Sequence, residues 1–237
     1  EVTVAAFNIS EQFRVPVVLL LDAVVSHMRE SVELPDLPVV TRQRPVSLEG
    51  FLPFGGTEFV PLGAGKPIVV TGLAHADTGL PRPSDGANAE RMLRRVVDRI
   101  EAASDEILRT RAVRLDDADV GIIAYGITAR PARGAVKLLR QEGIRAGLLE
   151  LQTLWPLPES AIRELAGRSR LLLVPELNLG QLVIPIRAAV EGQTPVVALN
   201  RVDGLVFTPT DVAGAIRRAL SNVEAAWPLV PAEAHHA

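Results

Sequence analysis

The chain contains no cysteine, and only 4% of its 237 residues are aromatic. Without a thiol it can form no disulfide and hold no cysteine-ligated iron–sulfur cluster, so any such cluster must lie on a partner. Apolar residues make up 48% of the chain, and the scarcity of aromatic rings leaves Val, Leu, Ile and Ala to fill the core. That composition is typical of an α/β protein whose parallel sheet is buried on both faces.

The chain also lacks a concentration of charge of one sign. Its formal net charge is −3 and its Lys and Arg residues are dispersed, so neither nucleic acid nor a membrane surface is expected as a partner. The apolar run at 15–21 is far too short to span a bilayer. No basic, apolar leader opens the chain, and a cytoplasmic protein is therefore expected.

The first 34 residues predict one helix and one strand. Apolar residues at positions 2, 5, 6, 9 and 13 have helical spacing, and VPVVLLLD then predicts an apolar strand that ends at Asp22. One helix and one strand cannot bury both faces of a sheet, so residues 1–34 are expected to end a larger α/β domain. Residues 35–116 predict an ordered linker, because residues 35–87 are rich in proline. This range includes a strand-like KPIVVTG and ends with an amphipathic helix over 89–108.

Residues 117–221 predict a small α/β domain, and residues 222–237 a tail. Apolar strands at 119–126, 145–153, 170–176 and 194–200 alternate with helices that each present one apolar face. This alternation implies parallel strands joined by helical crossovers. Thr128 is expected to begin the first helix as its cap, and Pro185 to kink or interrupt the third.

Three loops follow the carboxyl ends of predicted parallel strands, where functional side chains gather in open sheets. In YGITARPA, the backbone beside Gly126 and Thr128 could bind an anion, and a plain helix cap is the alternative. In VPELNLGQ, Glu176 and Asn178 could orient a ligand or a partner's backbone, and Asn178 could equally cap a helix. In QTLWPLPE, Trp155 is predicted to be a core or interface anchor.

Two further groups of polar residues are candidate ligand-binding or metal sites. Asp22 ends the predicted strand, and His27 and Arg29 follow it within seven residues. These side chains could contact a ligand, or they could form a salt-bridged turn on the surface. His75 and Asp77 in VTGLAHADTGLP supply two candidate metal ligands, whereas a metal site needs three or four. No Ser-His-Asp arrangement has a spacing that calls for nucleophilic catalysis. We therefore assign no catalytic residue and no metal ligand, and the candidate pocket or interface positions are Asp22, His27, Arg29, Glu176 and Asn178.

Six segments together resemble one protein family in their order and spacing. They are AAFNISEQFRVPVVLLLDAVVSHMRESVELPD, VTGLAHADTGLP, AYGITAR, LQTLWPLPE, LLVPELNLGQLV and LNRVDGLVFTPTDV. This set is similar to the C-terminal portion of the α subunit of thiamine-diphosphate-dependent 2-oxoacid:ferredoxin oxidoreductases, especially the 2-oxoglutarate type. The resemblance implies a transketolase-C-like parallel-sheet domain, preceded by the tail of a thiamine-pyrimidine-binding α/β domain and a Pro-rich linker. It also makes the loop with His75 and Asp77 an ordered interdomain or intersubunit connection rather than a metal pair.

The resemblance implies an activity for the assembled enzyme. A 2-oxoacid, with 2-oxoglutarate favoured, loses CO₂, coenzyme A takes the acyl group and ferredoxin takes the electrons. The implied cofactors are thiamine diphosphate with Mg²⁺ and a 4Fe-4S cluster, and the implied partners are a β subunit that carries them and the upstream pyrimidine-binding portion of the α subunit. This chain alone is expected to hold no cofactor and to be inactive.

Ala23 and Ile127 depart from the residues usual in that family, so no catalytic residue is carried over to this chain. Two alternatives stay open at this point. The chain could be a non-catalytic transketolase-C-like interaction or scaffolding module, or a component of another thiamine-dependent enzyme such as a transketolase or an E1 dehydrogenase.

Overall fold

A computed structural model describes residues 1–13, 15–29, 31, 33, 36–39, 63, 65 and 71–226. These residues divide into two compact units: one contains residues 1–20 and those described within 31–107, the other residues 21–29 and 108–226. In chain order the helices are α1 (Val2–Phe13), α2 (Ala23–His27), α3 (Gly86–Ala102), α4 (Ser104–Ile107), α5 (Ala129–Gln141), α6 (Glu159–Arg168), α7 (Val183–Val190) and α8 (Pro209–Ala226). The strands are β1 (Thr110–Val113), β2 (Val120–Tyr125), β3 (Ala146–Leu151), β4 (Leu171–Glu176) and β5 (Val196–Asn200).

The first unit is helical in its described part. The Asp85 carboxylate caps α3 by accepting a 3.0 Å hydrogen bond from the Asn88 backbone N–H. The predicted helix over 89–108 is confirmed as α3 and α4, but only the C-terminal half of its apolar face is buried. Ile100, Ala103 and Ile107 pack against Ile9, Phe13 and Val15, whereas Leu93, Val96 and Val97 stay exposed.

The strand predicted to end at Asp22 is wrong, because residues 15–22 belong to no strand. No described strand pairs with this segment, and a strand exists only where a neighbour takes its backbone hydrogen bonds. Val18 and Leu20 are accordingly exposed, and α2 begins directly after Asp22. Most of the strand-like segment KPIVVTG, residues 66–70, lies outside the described residues.

The second unit contains one five-stranded sheet in the order β1-β3-β2-β4-β5. Strands β3, β2, β4 and β5 run parallel to one another, whereas the edge strand β1 runs antiparallel to β3, with Thr110 opposite Leu151. The predicted α/β class with a mostly parallel sheet is therefore confirmed. Strand β1 lies in the range that the sequence assigned to the linker; it is short and mostly exposed, so it lacks an apolar run that would mark it as a strand.

Alternate residues of the strands fill two cores, one on each face of the sheet. Helices α5 and α8 cover one face with Ala132, Val136 and Ile216, and α6 and α7 cover the other with Ile162 and Ile186. The alternating side-chain directions of a strand explain why a continuous apolar run serves both cores.

The prediction that Pro185 interrupts its helix is wrong. Pro185 is the third residue of α7, in the first turn, where backbone N–H groups have no intrahelical acceptor and a missing N–H does no harm. Across the described residues, no helix is both long enough and apolar enough to cross a membrane.

Candidate functional site at the carboxyl edge of the sheet

The sheet has a topological switch point between β2 and β4. These two strands are neighbours, yet the chain leaves β2 for β3 through α5 on one face and leaves β4 for β5 through α7 on the other. In open α/β sheets, ligands bind in the crevice that such divergent connections create at the carboxyl ends of the strands. The residues that end β2 and β4 therefore define the candidate site.

Glu176 ends β4, and its side chain is fully buried. One carboxylate oxygen accepts a 2.8 Å hydrogen bond from the Leu182 backbone N–H, and the other accepts one of 2.9 Å from the Val183 N–H. Both donors lie at the start of α7, where unpaired N–H groups and the helix dipole favour a negative group. Glu176 thus caps α7 from the adjacent strand and closes the loop 177–182.

Tyr125 ends β2 and joins Glu176 across the switch point. Its hydroxyl donates to Oε2 of Glu176 at 3.3 Å and accepts a 2.9 Å hydrogen bond from the Asn178 side-chain amide. Burial, with a smaller contribution from the Glu176 charge, raises the pKa of Tyr125 to about 12. The phenol therefore stays protonated at neutral pH and acts as a hydrogen-bond donor, not as a base.

Asn178 folds the loop between β4 and α7. Its side-chain oxygen accepts hydrogen bonds from the Gly180 N–H at 2.7 Å and the Gln181 N–H at 3.1 Å. This closes a turn of the kind that Asn side chains form with backbone groups two and three residues ahead. The alternative that Asn178 is the helix cap is wrong, because the N–H groups at the start of α7 bind Glu176 instead.

Asp22 reaches the same edge from a distant part of the sequence. Its Oδ2 accepts a 2.7 Å hydrogen bond from the Ile127 backbone N–H, in the turn that follows β2. The predicted anion-binding backbone therefore does bind a carboxylate, and that carboxylate belongs to this chain. Thr128 stands at the N-cap position of α5, as predicted, but its hydroxyl donates to the Tyr125 carbonyl at 2.6 Å and makes no capping hydrogen bond to the helix.

The other candidates lie elsewhere. His27 and Arg29 are exposed on the segment 21–29, and the structure gives neither a hydrogen bond to Glu176 or Asn178. In the first unit, the His75 Nδ1 lies 3.0 Å from the Leu73 carbonyl oxygen of its own loop, and Asp77 pairs with Arg91 at 3.6 Å on the surface. Within the described ranges, no three His, Cys, Asp or Glu side chains are grouped so that they could hold a metal ion.

The residue that sequence reasoning missed is Tyr125. It links Glu176 to Asn178, and it is the single tyrosine among 237 residues. Its position as the last residue of β2, directly before a glycine at the carboxyl edge, is the signal that could have found it. Tyr125, Glu176 and Asn178 form one hydrogen-bond network, and each of their polar side-chain groups has a partner. The network therefore holds the loops in place and carries no free acid or base.

Comparison with known proteins gives the family of the chain. The family model for pyruvate:ferredoxin oxidoreductase core domain II matches residues 118–212, which include the network of Tyr125, Glu176 and Asn178. The family model for the thiamine diphosphate-binding part of pyruvate flavodoxin/ferredoxin oxidoreductases matches residues 1–101. The 2-oxoglutarate synthase subunit KorA of Methanothermobacter marburgensis is 40% identical over 221 residues, covering 90% of this chain and 59% of KorA. This chain belongs to the 2-oxoacid:ferredoxin oxidoreductase family.

Further members of the 2-oxoacid:ferredoxin oxidoreductase family resemble most of the chain. The ketoisovalerate oxidoreductase subunit VorB of Methanothermobacter thermautotrophicus is 31% identical over 222 residues, covering 94% of this chain and 57% of VorB. The solved 2-oxoglutarate:ferredoxin oxidoreductase from Magnetococcus marinus, with 2-oxoglutarate, coenzyme A and succinyl-CoA bound, superposes with a TM-score of 0.67 at 26% identity. That match covers 77% of this chain and 33% of the other. The chain therefore spans less than two thirds of the length of these relatives.

Proposed function

We propose that this chain is the C-terminal portion of the α subunit of a 2-oxoglutarate:ferredoxin oxidoreductase. The proposed reaction converts 2-oxoglutarate and coenzyme A to succinyl-CoA and CO₂, while two electrons reduce ferredoxin. The observation that carries the proposal is the 40% identity to a 2-oxoglutarate synthase subunit over 90% of the chain. The ligands named for the Magnetococcus marinus structure support the same substrate pair.

The described residues do not fit the diphosphate end of thiamine diphosphate. The backbone N–H of Ile127, which would suit an anion, is occupied by Asp22, and the described part of the chain offers no cluster of metal-ligating side chains. When bound, thiamine diphosphate supplies the carbanion chemistry of decarboxylation. We propose that a β subunit and the upstream pyrimidine-binding portion hold it with Mg²⁺.

We propose that the 4Fe-4S cluster also lies on the β subunit. Such clusters are held by cysteine thiolates, and this chain has none. The role proposed for the described residues is positioning: the network of Tyr125, Glu176 and Asn178 holds the loops at the carboxyl edge of the sheet. A location in the cytoplasm stays a prediction.

The test uses the complex that contains this chain, purified from its own cells. Native mass spectrometry identifies each subunit, and iron and thiamine diphosphate are quantified in the same sample. Ferredoxin reduction is then followed with 2-oxoglutarate, pyruvate or 2-oxoisovalerate, with and without coenzyme A. We expect a cysteine-bearing partner, both cofactors, and fastest reduction with 2-oxoglutarate that stops when coenzyme A is omitted.

Other results would contradict the proposal in distinguishable ways. Faster turnover of 2-oxoisovalerate would favour the specificity in the name of VorB. Oxoacid turnover without ferredoxin or iron would favour a transketolase or an E1 dehydrogenase. A complex that lacks both cofactors and turns over no oxoacid would favour a scaffolding module.

A further inference from the structure

Strand β1 lies at an open edge of the sheet. Its neighbour on one side is β3, and none of the described strands lies on its other side. The Gln152 N–H donates to the Arg109 carbonyl at 3.0 Å, so alternate residues from Arg109 onward turn their backbone groups towards β3. The N–H and C=O groups of the intervening Thr110 and Ala112 therefore face away from the sheet. Both residues are exposed, so these groups form an edge that an extended segment can join.

Both ends of β1 are fixed in place by hydrogen bonds. At its start, the Arg109 N–H donates to the Thr153 hydroxyl at 3.1 Å. At its end, the Arg140 guanidinium donates to the carbonyl oxygens of Arg114 at 2.9 Å and of Ala146 at 2.7 Å. A strand held in this way loses little conformational entropy when a partner pairs with its open edge.

The side chains along β1 are cationic and lack carboxylate partners. Arg109, Arg111 and Arg114 are exposed, and the structure gives none of the three an ion pair with a described residue. Elsewhere in this unit the arginines commonly have a carboxylate partner, as Arg145 and Arg217 do. The edge therefore presents positive charge that the described part of the chain does not neutralise.

Helix α5 extends this cationic surface. Four basic side chains lie on one face of the helix because they are three or four residues apart; they are Arg130, Arg133, Lys137 and Arg140. That face lies beside β1, since Arg133 binds Glu150, which is opposite Arg111 in the pairing of β1 with β3. We call the three arginines of residues 109–114 together with this face of α5 the basic edge.

The charge of the basic edge differs from that of the whole chain. Its seven cationic side chains outnumber the three carboxylates beside them, Asp116, Asp117 and Glu150, although the chain has a formal net charge of −3. Two of those carboxylates already pair with Arg140 and Arg133. A surface of this kind attracts acidic partners and repels basic ones.

The chemistry of the basic edge favours an acidic polypeptide as its occupant. A second copy of β1 is disfavoured, because residues 109–114 contain no carboxylate and the two strands would bring arginines together. Single-stranded nucleic acid is also anionic, but it is bound by stacking on aromatic rings, and neither β1 nor α5 contains one. In β1, Arg111 lies on the face that α5 covers and Ala112 on the other, so the matching strand alternates carboxylates with apolar residues.

We propose that the basic edge is a docking site at which an acidic, extended segment of a partner protein joins the sheet beside β1. Backbone hydrogen bonds to Thr110 and Ala112 provide the pairing. Carboxylates that face Arg109, Arg111 and Lys137 provide the specificity. The proposal does not depend on the proposed reaction, and its readout involves no activity.

The test is calorimetric titration of the full chain with a short peptide that alternates glutamate with valine. We expect the wild-type chain to bind the peptide saturably, and Arg111→Glu to raise the dissociation constant by about tenfold or more through charge repulsion. The matched control is Arg218→Glu, the same charge reversal at an exposed position on α8, which packs against β4 and β5. It should leave the dissociation constant unchanged.

Ala112→Pro tests the strand pairing separately from the charge. Proline removes the N–H of residue 112, which faces away from β3, and edge strands tolerate proline at such positions. Because the charge of the basic edge stays the same, a rise in the dissociation constant of about tenfold or more would report lost backbone pairing. Ala112→Ser keeps the N–H and should bind as the wild-type chain does. Circular dichroism of each variant shows that it is folded.

Three results would overturn the proposal. The first is a wild-type chain that does not bind the peptide. The second is undiminished binding by folded Ala112→Pro, or equally tight binding of a peptide in which proline replaces valine, because attraction between charges would then suffice. The third is a single-stranded oligothymidine that binds the basic edge more tightly than the peptide, which would favour nucleic acid as its occupant.

Discussion

The Asp22 carboxylate accepts a 2.7 Å hydrogen bond from the Ile127 backbone N–H across 105 positions of sequence. The turn that presents this N–H contains Gly126 with a φ of +52°, a left-handed conformation that side chains with a Cβ rarely adopt. A Cβ at position 126 would also lie 2.4 Å from the same Asp22 oxygen. Asp22 and Gly126 therefore form one structural unit, in which the glycine makes room for the carboxylate.

Gly126→Ala should destabilise the chain by about 2–3 kcal/mol. About 1–2 kcal/mol comes from the left-handed backbone, and about 1 kcal/mol from displacement of the Asp22 hydrogen bond. The control is Gly143→Ala, because Gly143 has a φ of +82° but a Cβ added there would meet no atom within 4 Å, so only the backbone contribution applies. Urea unfolding measures the loss of stability in each of the two variants.

A double-mutant cycle with Asp22→Ala isolates the close contact at position 126. In the Asp22→Ala background, Gly126→Ala should lower the free energy of unfolding by no more than Gly143→Ala does. Equal costs for the two alanine substitutions in the wild-type background would show that the Asp22 contact does not constrain position 126.

Glu176→Gln should destabilise the chain by about 1–3 kcal/mol. Glutamine keeps one acceptor oxygen but turns an amide NH₂ towards a backbone N–H of α7, which leaves a buried donor without a partner. Hydrogen exchange at Leu182 and Val183 should speed up as the loop loosens. Glu159→Gln, an exposed change at the start of α6, is the matched control and should shift stability by only a few tenths of a kcal/mol. Unchanged exchange at both amides would contradict a capping role for Glu176.

Tyr125 should titrate with a midpoint near pH 12 in the folded chain. It is the single tyrosine of the chain, so absorbance at the tyrosinate wavelength reports this residue alone. The raised pKa means that the folded state holds the phenolic proton more tightly than the unfolded state. Stability is therefore complete below the ordinary value of 10.0 and falls as pH rises from there through about 12.

The Glu176→Gln variant tests the cause of the raised Tyr125 pKa. Removal of the negative charge should lower the midpoint, although burial keeps it above the ordinary value. A wild-type midpoint close to 10.0, or a midpoint unaffected by Glu176→Gln, would contradict the contact between the two side chains.

The alternation of strands and helices over 117–221 could be predicted because it depends on local properties. Apolar runs, helical spacing and turn residues place β2, β3, β4 and β5 close to their observed bounds. The same reasoning placed Glu176 and Asn178 at a strand end, where the structure has them. It failed at residues 15–22, because an apolar run becomes a strand only when another strand lies beside it.

The absence of a cysteine-ligated cluster, the mostly parallel α/β sheet of the second half and the residues that end its strands can all be predicted from the amino-acid sequence. In contrast, the binding of Asp22 to the anion site at Ile127 and the hydrogen bond between Tyr125 and Glu176 are visible only in the folded chain. The difference arises because spacing and composition are properties of residues that are close in sequence. The switch point depends instead on which strands become neighbours, and that is set by crossovers packed on opposite faces of the sheet.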